Sequence, residues 1–224
     1  MHWRNGQAGG TFGPRDPGED VLDTHMRRLI DPPLDRAGRA LADAGIGANQ
    51  VTLAGLVIGL GAAIAIGLGW FVLALVLVIV SRLLDGLDGA VARRNGVTDF
   101  GGFLDIACDF AFYGAVPLAF AIHDPAQNGL AAALLLAAFY VNGTSFLGYA
   151  VLAERRRMST DARGLKTLYF TGGLLEGTET IAFFIAFVIW PDWFWLLALV
   201  FAAGCLVTTA SRVMLAWKIF GSRP

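Results

Sequence analysis

The chain has 224 residues, of which 56% are hydrophobic and 16% charged, and its mean hydropathy is +0.60. This composition is typical of an integral membrane protein and excludes an ordinary soluble enzyme. The formal net charge of −1 indicates neither an acidic nor a basic partner. Cys108 and Cys205 both lie in apolar segments, which predicts buried free thiols rather than a disulfide framework.

The first 45 residues divide into two parts. Residues 1–19 are rich in glycine, proline and charge and lack the apolar core of a signal peptide, which predicts a disordered leader. Residues 20–45 carry apolar side chains at helical spacing, interrupted at Pro32 and Pro33, which predicts two short amphipathic juxtamembrane helices. Arginines on their polar sides favour a position on the cytoplasmic membrane surface, with packing on the protein as the alternative.

Six apolar segments follow, each long enough to cross a hydrocarbon core. They predict an all-α integral membrane protein in which residues 46–224 form one six-helix transmembrane domain, without an internal repeat. The second segment is uninterrupted apolar sequence only from Phe71 to Ser81, and its last turns carry the ionisable residues Arg82, Asp85 and Asp88. The predicted spans are 49–68, 70–92, 102–122, 127–153, 173–190 and 195–220.

The basic residues of the connecting segments are distributed asymmetrically. The turns near Gly69, Asp124 and Asp192 contain no lysine or arginine, whereas the leader, the turn after Arg93, the 155–166 loop and the C-terminus contain nearly all of them. Basic loops stay on the cytoplasmic side of a membrane. Both termini, and the ends of the second and third spans where the acidic residues lie, are therefore predicted to be cytoplasmic.

Four carboxylates occur within residues 85–109, which read DGLDGAVARRNGVTDFGGFLDIACD. At about 100° per residue, Asp85 and Asp88 lie on one helix face, and Asp105 and Asp109 lie on one face of the next helix. Two helices can therefore present four carboxylates to one site. Oxygen ligands suit one or two hard divalent cations such as Mg²⁺, Mn²⁺ or Ca²⁺, and the lack of neighbouring histidine or cysteine clusters argues against zinc.

The residue types and their spacing in this segment resemble the signature of class-I CDP-alcohol phosphatidyltransferases. The matching residues are Asp85, Asp88, Gly89, Ala92, Arg93, Gly101, Asp105 and Asp109. The resemblance extends to the six spans, to the amphipathic N-terminal helix and to the Asn-x-x-Thr start of the first span at residues 49–52, although Ala48 stands where a proline often precedes the asparagine. The stretch 173–180 resembles bacterial inner-membrane members of the family rather than its well-studied acceptor classes.

The resemblance implies a reaction in phospholipid biosynthesis at the bacterial inner (plasma) membrane. A phosphatidyl or similar substituted phosphoryl group would pass from a CDP-alcohol such as CDP-diacylglycerol to a small acceptor alcohol, with release of CMP. The resemblance implies two divalent ions, Mg²⁺ or Mn²⁺, held by Asp85, Asp88, Asp105 and Asp109, with Asp109 also acting as the general base. It further implies a homodimer among membrane lipids and no nucleic-acid partner, and it leaves the acceptor head group open.

The same resemblance assigns residues that contact the CDP-alcohol. Gly89 would let the ligand approach the helix backbone closely, and Arg93 would supply a planar positive group to a phosphate. The alternatives are glycine-mediated helix packing and a structural ion pair between Arg93 and a carboxylate. The donor-binding residues predicted in this way are Asn49, Thr52, Asp85, Gly89, Arg93, Thr98 and Gly101.

Other polar residues in the spans allow two interpretations each. Arg82, one turn before Asp85, is expected to form a structural ion pair, with orientation of a ligand phosphate as the alternative. Glu176, Glu179, Arg155 and Arg212 are candidates for binding the acceptor, but the glutamates equally suit pairing with Arg212 or with basic loop residues. The polar residues of the fourth span suit either an acceptor cavity or hydrogen bonds between helices; they are Asn142, Thr144 and Ser145.

Two other classes of protein also place acidic residues in membrane helices. A cation transporter would distribute them through the depth of the membrane, and an intramembrane prenyltransferase would pair aspartates around a diphosphate with different spacing and more spans. In this chain the carboxylates cluster at one end of two spans, beside Gly89 and Arg93. That clustering favours phosphate chemistry over cation transport.

Overall fold

The computed structural model of the protein describes residues 33–156 and 177–221. In these two stretches all regular structure is helical. The predicted leader and the first predicted amphipathic helix lie outside the described residues. The helices are α1 (33–43), α2 (Ala48–Gly67), α3 (Phe71–Asn95), α4 (Asp99–His123), α5 (Pro125–Arg155), α6 (Gly177–Ile189) and α7 (Phe194–Phe220), and a short 3₁₀ turn, Pro191–Trp193, precedes α7.

Four of these segments are long and apolar enough to cross a membrane: α2, α4, α5 and the continuous segment Pro191–Phe220. The prediction of an all-helical membrane protein is therefore confirmed for the described part of the chain. α3 has 25 residues but carries five ionisable side chains from Arg82 onward, and 13 residues of α6 are described. The predicted first span, 49–68, differs from α2 by a single residue at each end.

The turn between α3 and α4 lies slightly later than the sequence predicts. The predicted second span ends at residue 92, but the helix continues to Asn95, and Gly96 is its C-cap. Gly96 has a φ of 101°, a backbone conformation that side chains with a Cβ rarely adopt. The chain then turns through Val97 and Thr98 before α4 begins at Asp99.

The helices form a bundle in which α2 packs on α3 and α4, α5 packs on α4 and α7, and α6 packs on α3 and α7. Its centre is rich in stacked aromatic rings: the centroids of Phe120 and Phe194 are 4.2 Å apart, and those of Phe183 and Phe201 are 4.4 Å apart. Large apolar side chains such as Val57 and Val72 are exposed on the outside of the bundle. An exposed apolar exterior of this kind suits a lipid environment.

Contacts between helix ends define two ends of the bundle. At one end Nη1 of Arg156 donates to the carbonyl of Ile219 at 3.1 Å, which joins the last turns of α5 and α7. At the other end Nε2 of Gln127 donates to the carbonyl of Asp192 at 2.9 Å. We call the first the basic end, because it carries Arg93, Arg94, Arg155, Arg156 and Lys218 in the last turns of α3, α5 and α7.

The helix α1 packs along the basic end of α3. Gly38 is buried there, and a Cβ added to it would lie 2.6 Å from the Cβ of Ala90. Asp43 of α1 also forms an ion pair with Arg94 of α3, at 3.5 Å. This helix therefore packs on the protein, and its predicted position at the membrane surface stays a prediction.

Gly59 of α2 packs tightly against side chains of both α3 and α4. A Cβ at this position would lie 2.7 Å from Cδ2 of Phe112 and 2.9 Å from Oγ of Ser81. Phe112 is fully buried, so its ring has little room to move. The absence of a side chain at Gly59 therefore sets the distance between α2 and α4.

Substitution of Gly59 by alanine is expected to destabilise the bundle. Overpacking of a buried site costs about 1–3 kcal/mol, which exceeds the gain in helix propensity of at most about 1 kcal/mol. The matched control is Gly61→Ala on the same helix, where the added Cβ would meet only Cδ1 of Leu77 at 3.8 Å. Thermal unfolding in detergent should show a lower Tm for Gly59→Ala and an unchanged or slightly higher Tm for Gly61→Ala. Equal Tm values for the two variants would contradict this account of the packing.

Candidate active site

Three of the four predicted metal ligands form one group, which we call the acidic cluster: Asp85 of α3 and Asp105 and Asp109 of α4. One carboxylate oxygen from each lies within 4.8 Å of the others. All three side chains are half-buried. The four-residue spacing of Asp105 and Asp109 thus places both on one face of α4, and Asp85 of α3 lies beside them.

Arg82 lies directly against the acidic cluster. Its Nη1 is 2.8 Å from Oδ1 of Asp109 and 3.4 Å from Oδ1 of Asp85, and its side chain is only 7% exposed. Its guanidinium carbon is 4.2 Å from the ring centroid of Phe112, a cation–π distance. Nη2 donates to Oγ of Ser81 at 3.2 Å. The structural ion pair expected from the sequence is therefore present, with Asp109 as the nearer partner.

Tyr113 completes the contacts of Asp109 and was not singled out by the sequence. Its hydroxyl donates to Oδ2 of Asp109 at 3.2 Å, while Arg82 holds the other oxygen. The available signal was the spacing: Tyr113 follows Asp109 by four residues, so both lie on the same face of α4. A tyrosine in an apolar span is nevertheless common as a packing residue, and its spacing does not reveal its partner.

Asp88 lies beside the cluster but has a separate partner. Its carboxylate is 6% exposed and accepts a hydrogen bond from Oγ1 of Thr52 at 2.6 Å. The same Thr52 hydroxyl lies 3.1 Å from the carbonyl of Ala48, one turn earlier on α2. A third helix, α2, thus orients this carboxylate.

A pocket of about 550 Å³ opens between the basic ends of α2, α3 and α4. Six of the seven residues predicted to bind the CDP-alcohol line it, and Asp85 is the one that does not. Asp105 belongs both to this lining and to the acidic cluster, so the two regions adjoin. The lining includes Asn49, Thr52, Asp88, Gly89, Arg93, Thr98, Gly101 and Asp105.

The first turn of α4 forms one wall of this pocket. Thr98 is its N-cap, and its Oγ1 accepts a hydrogen bond from the backbone N–H of Gly101 at 3.0 Å. A Cβ on Gly101 would lie 3.3 Å from Oδ1 of Asn49, which is closer than most real contacts. Gly101 therefore lets the N-termini of α2 and α4 approach each other, and backbone N–H groups at such helix starts favour anions.

Arg93 and Gly89 lie on α3 where it borders the pocket. Arg93 is largely exposed, and its Nη2 lies 2.9 Å from Oδ1 of Asp35 in α1. The structural pairing considered as an alternative for Arg93 is thus present, although the residue also lines the pocket. A Cβ on Gly89 would meet Nη1 of Arg93 at 3.5 Å, an ordinary contact, so close helix packing does not require this glycine.

The donor set of the acidic cluster fits a hard divalent cation. It consists of carboxylate oxygens from Asp85, Asp105 and Asp109, close enough to share one ion. Asp88 adds a further carboxylate at the border with the pocket. Oxygen donors of this kind suit Mg²⁺ and Mn²⁺.

Three of the four candidate acceptor residues are among the described residues, and they lie in two different surroundings. Arg212 of α7 is buried, and its Nη1 donates to Oδ1 of Asn142 at 2.9 Å and to Oγ of Ser145 at 2.7 Å, which joins α7 to α5. Arg155 and Glu179 are exposed. Glu176 lies outside the described residues. An acceptor role for these four residues stays a prediction.

Comparison with known proteins links the chain to one family. A family model described as CDP-alcohol phosphatidyltransferase matches residues 46–216. The chain is 46% identical over 193 residues to the inner membrane protein YnjF of Escherichia coli, covering 86% of this chain and 94% of that protein. It is also 44% identical over 85 residues to the archaetidylinositol phosphate synthase of Pyrococcus horikoshii, covering 38% of this chain and 45% of that protein.

Solved structures of a mycobacterial enzyme share the fold. Phosphatidylinositol phosphate synthase of Mycobacterium tuberculosis with CDP-DAG bound gives a TM-score of 0.65 at 24% identity, covering 82% of this chain and 93% of that one. The same enzyme in complex with manganese and citrate gives a TM-score of 0.66 at 24% identity, covering 82% and 88%. At this level of identity the likeness concerns the fold alone.

Substitution of Thr52 by valine is expected to weaken divalent cation binding. Valine keeps the shape of the side chain but removes the hydroxyl that donates a hydrogen bond to Asp88. Loss of a hydrogen bond to a metal-ligating side chain typically lowers metal affinity about 10–100-fold. The measurement is Mn²⁺ binding to purified protein, followed by the electron paramagnetic resonance signal of free Mn²⁺. The matched control is Thr144→Val, whose exposed hydroxyl bonds to the carbonyl of Tyr140 in its own helix. Superimposable Mn²⁺ titrations for all three proteins would contradict the proposed role of Asp88.

Proposed function

Because the chain belongs to the CDP-alcohol phosphatidyltransferase family, we propose that it moves a phosphatidyl group from CDP-diacylglycerol to a small alcohol in phospholipid biosynthesis. The chain is a membrane enzyme that transfers a substituted phosphoryl group from a CDP-alcohol to an acceptor alcohol and releases CMP. The observation that carries the specific proposal is the pocket, where residues predicted to bind the donor adjoin the acidic cluster. The family assignment favours this activity over cation transport and prenyl transfer.

The pocket is suited to a nucleotide diphosphate at its lining. Arg93 offers a positive group for a phosphate, and the first turn of α4, capped by Thr98, offers backbone N–H groups. Asn49 and Gly89 also line the pocket. We infer that the cytidine and pyrophosphate occupy this pocket, with the pyrophosphate nearest Asp88 and Asp105. The CDP-DAG bound to the mycobacterial relative supports a donor of this chemical class.

Two divalent ions, Mg²⁺ or Mn²⁺, would be held by Asp85, Asp88, Asp105 and Asp109. Such ions supply the positive charge that lets a pyrophosphate approach carboxylates and that stabilises the departing CMP. The manganese complex of the mycobacterial relative supports this requirement. The acidic cluster contributes three of the four carboxylates, and Asp88 contributes the fourth from the pocket side.

Asp109 is the proposed general base. Its carboxylate is 26% exposed, so a small alcohol has access to it, and it lies at the part of the acidic cluster away from the pocket lining. It would take the proton of the acceptor hydroxyl, whose oxygen then forms a bond to the phosphorus next to the lipid while the bond from that phosphorus to the bridging oxygen breaks. The chemistry requires positioning of the two substrates and no covalent intermediate with the enzyme.

The acceptor would approach from the basic end. Arg155, Glu179 and Arg212 of the described residues, together with Glu176, are the proposed contacts for its head group. A phosphorylated acceptor such as inositol phosphate or glycerol phosphate would require the arginines, whereas a cationic acceptor such as choline or ethanolamine would require the glutamates. Serine is a third class of acceptor with both charges.

The proposed arrangement in the cell is a six-span protein of the bacterial inner membrane. Residues 46–224 would form the transmembrane catalytic domain, preceded by juxtamembrane helices in 20–45 and a leader in 1–19. The charged side chains of α3 lie in the bundle interior or at the basic end. Their position is compatible with α3 crossing the membrane in addition to the four long apolar segments. The basic end, both termini and the pocket would be cytoplasmic. Homodimerisation is proposed from the family resemblance.

Substitution of Asp109 by asparagine is expected to reduce CMP release at least a thousandfold, because an amide cannot accept the hydroxyl proton. Asp105→Ala is expected to abolish both activity and Mn²⁺ binding, since Asp105 borders both the acidic cluster and the pocket. The measurement is CMP release in detergent from CDP-diacylglycerol with serine, inositol phosphate, glycerol phosphate, choline or ethanolamine, with and without Mg²⁺ or Mn²⁺. The control is Asp43→Asn, which removes an exposed carboxylate of α1 and should leave the rate of CMP release unchanged.

The outcomes of this experiment separate the parts of the proposal. Normal turnover by Asp109→Asn would show that the base is wrongly assigned while leaving the reaction class intact. Metal-independent CMP release would contradict the role of the acidic cluster. Release of no CMP by the unsubstituted protein with every acceptor of the panel would contradict the proposed donor.

The proposed orientation predicts different access to the two ends of the bundle. In intact cells, a membrane-impermeant maleimide should label Asp192→Cys, at the end opposite the basic end, and should label Asp43→Cys only after the membrane is permeabilised. The native thiols Cys108 and Cys205 are buried, so their background labelling should be low in both cases. Labelling of Asp43→Cys in intact cells would contradict the proposed cytoplasmic location of the basic end.

A further inference from the structure

The surroundings of Asp109 contain a second layer of groups that the proposed chemistry does not use. Arg82 and Tyr113 each bond to a different oxygen of the Asp109 carboxylate, at 2.8 Å and 3.2 Å. With both oxygens engaged, the carboxylate plane has one orientation relative to α4. Neither residue lines the pocket described between α2, α3 and α4.

We propose that Arg82 and Tyr113 are positioning residues that fix the Asp109 carboxylate from its two oxygens, and that the charge of Arg82 weakens the binding of divalent cations to the acidic cluster. This inference rests on the proposed role of Asp109 and of the cluster as base and metal ligands. It assigns the buried arginine a role in setting how tightly the ion is held, beyond that of a structural ion pair.

Several contacts besides those to the carboxylates hold the guanidinium of Arg82 in place. Its guanidinium lies over the ring of Phe112 at 4.2 Å, and its Nη2 bonds to Oγ of Ser81. Ser81 in turn donates to the carbonyl of Gly55 in α2 at 2.8 Å. Because α2 and α4 both contribute to this support, the guanidinium has little freedom to move away when a cation binds.

The consequence for metal affinity follows from charge. Arg82 has a side chain exposure of 7%, and its Nη1 is 3.4 Å from Asp85 and 2.8 Å from Asp109, two of the three cluster carboxylates. A fixed positive charge in this half-buried position competes with a divalent cation for the same oxygens and is little screened by salt. Removal of the charge should therefore tighten cation binding, even though it impairs the reaction.

Tighter Mn²⁺ binding together with slower turnover distinguishes a positioning role of Arg82 from a purely structural role. If Arg82 only stabilised the bundle, its loss would loosen the cluster, and Mn²⁺ binding and turnover would weaken together. If it positions Asp109 and competes with the ion, Mn²⁺ binding becomes tighter while kcat falls. Tyr113 carries no charge, so its loss should lower kcat without tightening Mn²⁺ binding.

The experiment compares Arg82→Gln, Arg82→Met and Tyr113→Phe with the unsubstituted protein. Mn²⁺ affinity is measured on metal-free protein by electron paramagnetic resonance, and kcat and the KM for CDP-diacylglycerol are measured by CMP release. We expect the Kd for Mn²⁺ to fall about tenfold in both Arg82 variants, with kcat at least tenfold lower and KM changed less than threefold. For Tyr113→Phe we expect about a fivefold lower kcat and a Kd for Mn²⁺ that is unchanged or higher, because a hydrogen bond to a proposed ligand is lost and no charge is removed.

The matched control is Arg94→Gln on the same helix. Arg94 is exposed, pairs with Asp43 of α1 and lies outside the pocket lining, so neither Mn²⁺ affinity nor kcat should change. A similar tightening of Mn²⁺ binding in Arg94→Gln would show a general effect of net charge and would overturn the specific role of Arg82.

Each remaining outcome also decides the inference. An unchanged or higher Kd for Mn²⁺ in the folded Arg82 variants overturns the competition, and so does failure of both variants to give monodisperse protein, because Arg82 is then a structural residue. An unchanged kcat in Tyr113→Phe overturns the positioning of Asp109. If the unsubstituted protein releases no CMP, the proposed function fails, whereas the comparison of Mn²⁺ affinities still tests the effect of the Arg82 charge.

Discussion

Compensation of clustered carboxylates inside an apolar bundle is the constraint on which the rest of this structure depends. Burial of charged groups is unfavourable unless positive charge and hydrogen-bond donors accompany them, and removal of one partner from a buried pair costs about 3–5 kcal/mol. The chain meets this requirement with a buried arginine, a tyrosine and a threonine. Arg82 pairs with Asp85 and Asp109, Tyr113 donates to Asp109, and Thr52 donates to Asp88.

The first long helix, α2, supports this arrangement at two depths. Near its start, Thr52 orients Asp88, and two turns later Gly59 lets Phe112 and Ser81 approach closely beneath Arg82. Small residues at helix contacts are a common solution in membranes, where close packing and hydrogen bonds replace the hydrophobic effect between helices. The geometry of the carboxylates is therefore determined by the packing of three helices and not by α3 and α4 alone.

The arrangement also separates the two substrates of the proposed transfer. The pocket proposed for the nucleotide is lined by Asp88 and Arg93, whereas Asp109 and its partners Arg82 and Tyr113 lie outside that lining. Asp105 belongs to both regions. An enzyme that joins a lipid donor to a water-soluble alcohol gains from this division, because each substrate reaches the shared cations from its own direction.

Much of this protein was determined by its sequence alone. Hydropathy and helical periodicity are local properties, so they predicted α2, α4, α5 and α7 to within a few residues, and the spacing of the aspartates predicted which faces carry them. Only the tertiary structure decided that Arg82 lies nearer to Asp109 than to Asp85, its neighbour three residues on, and that α1 packs on α3. These contacts depend on how far each helix is rotated about its axis and shifted along its neighbour. The residue pattern of a single helix does not determine either quantity.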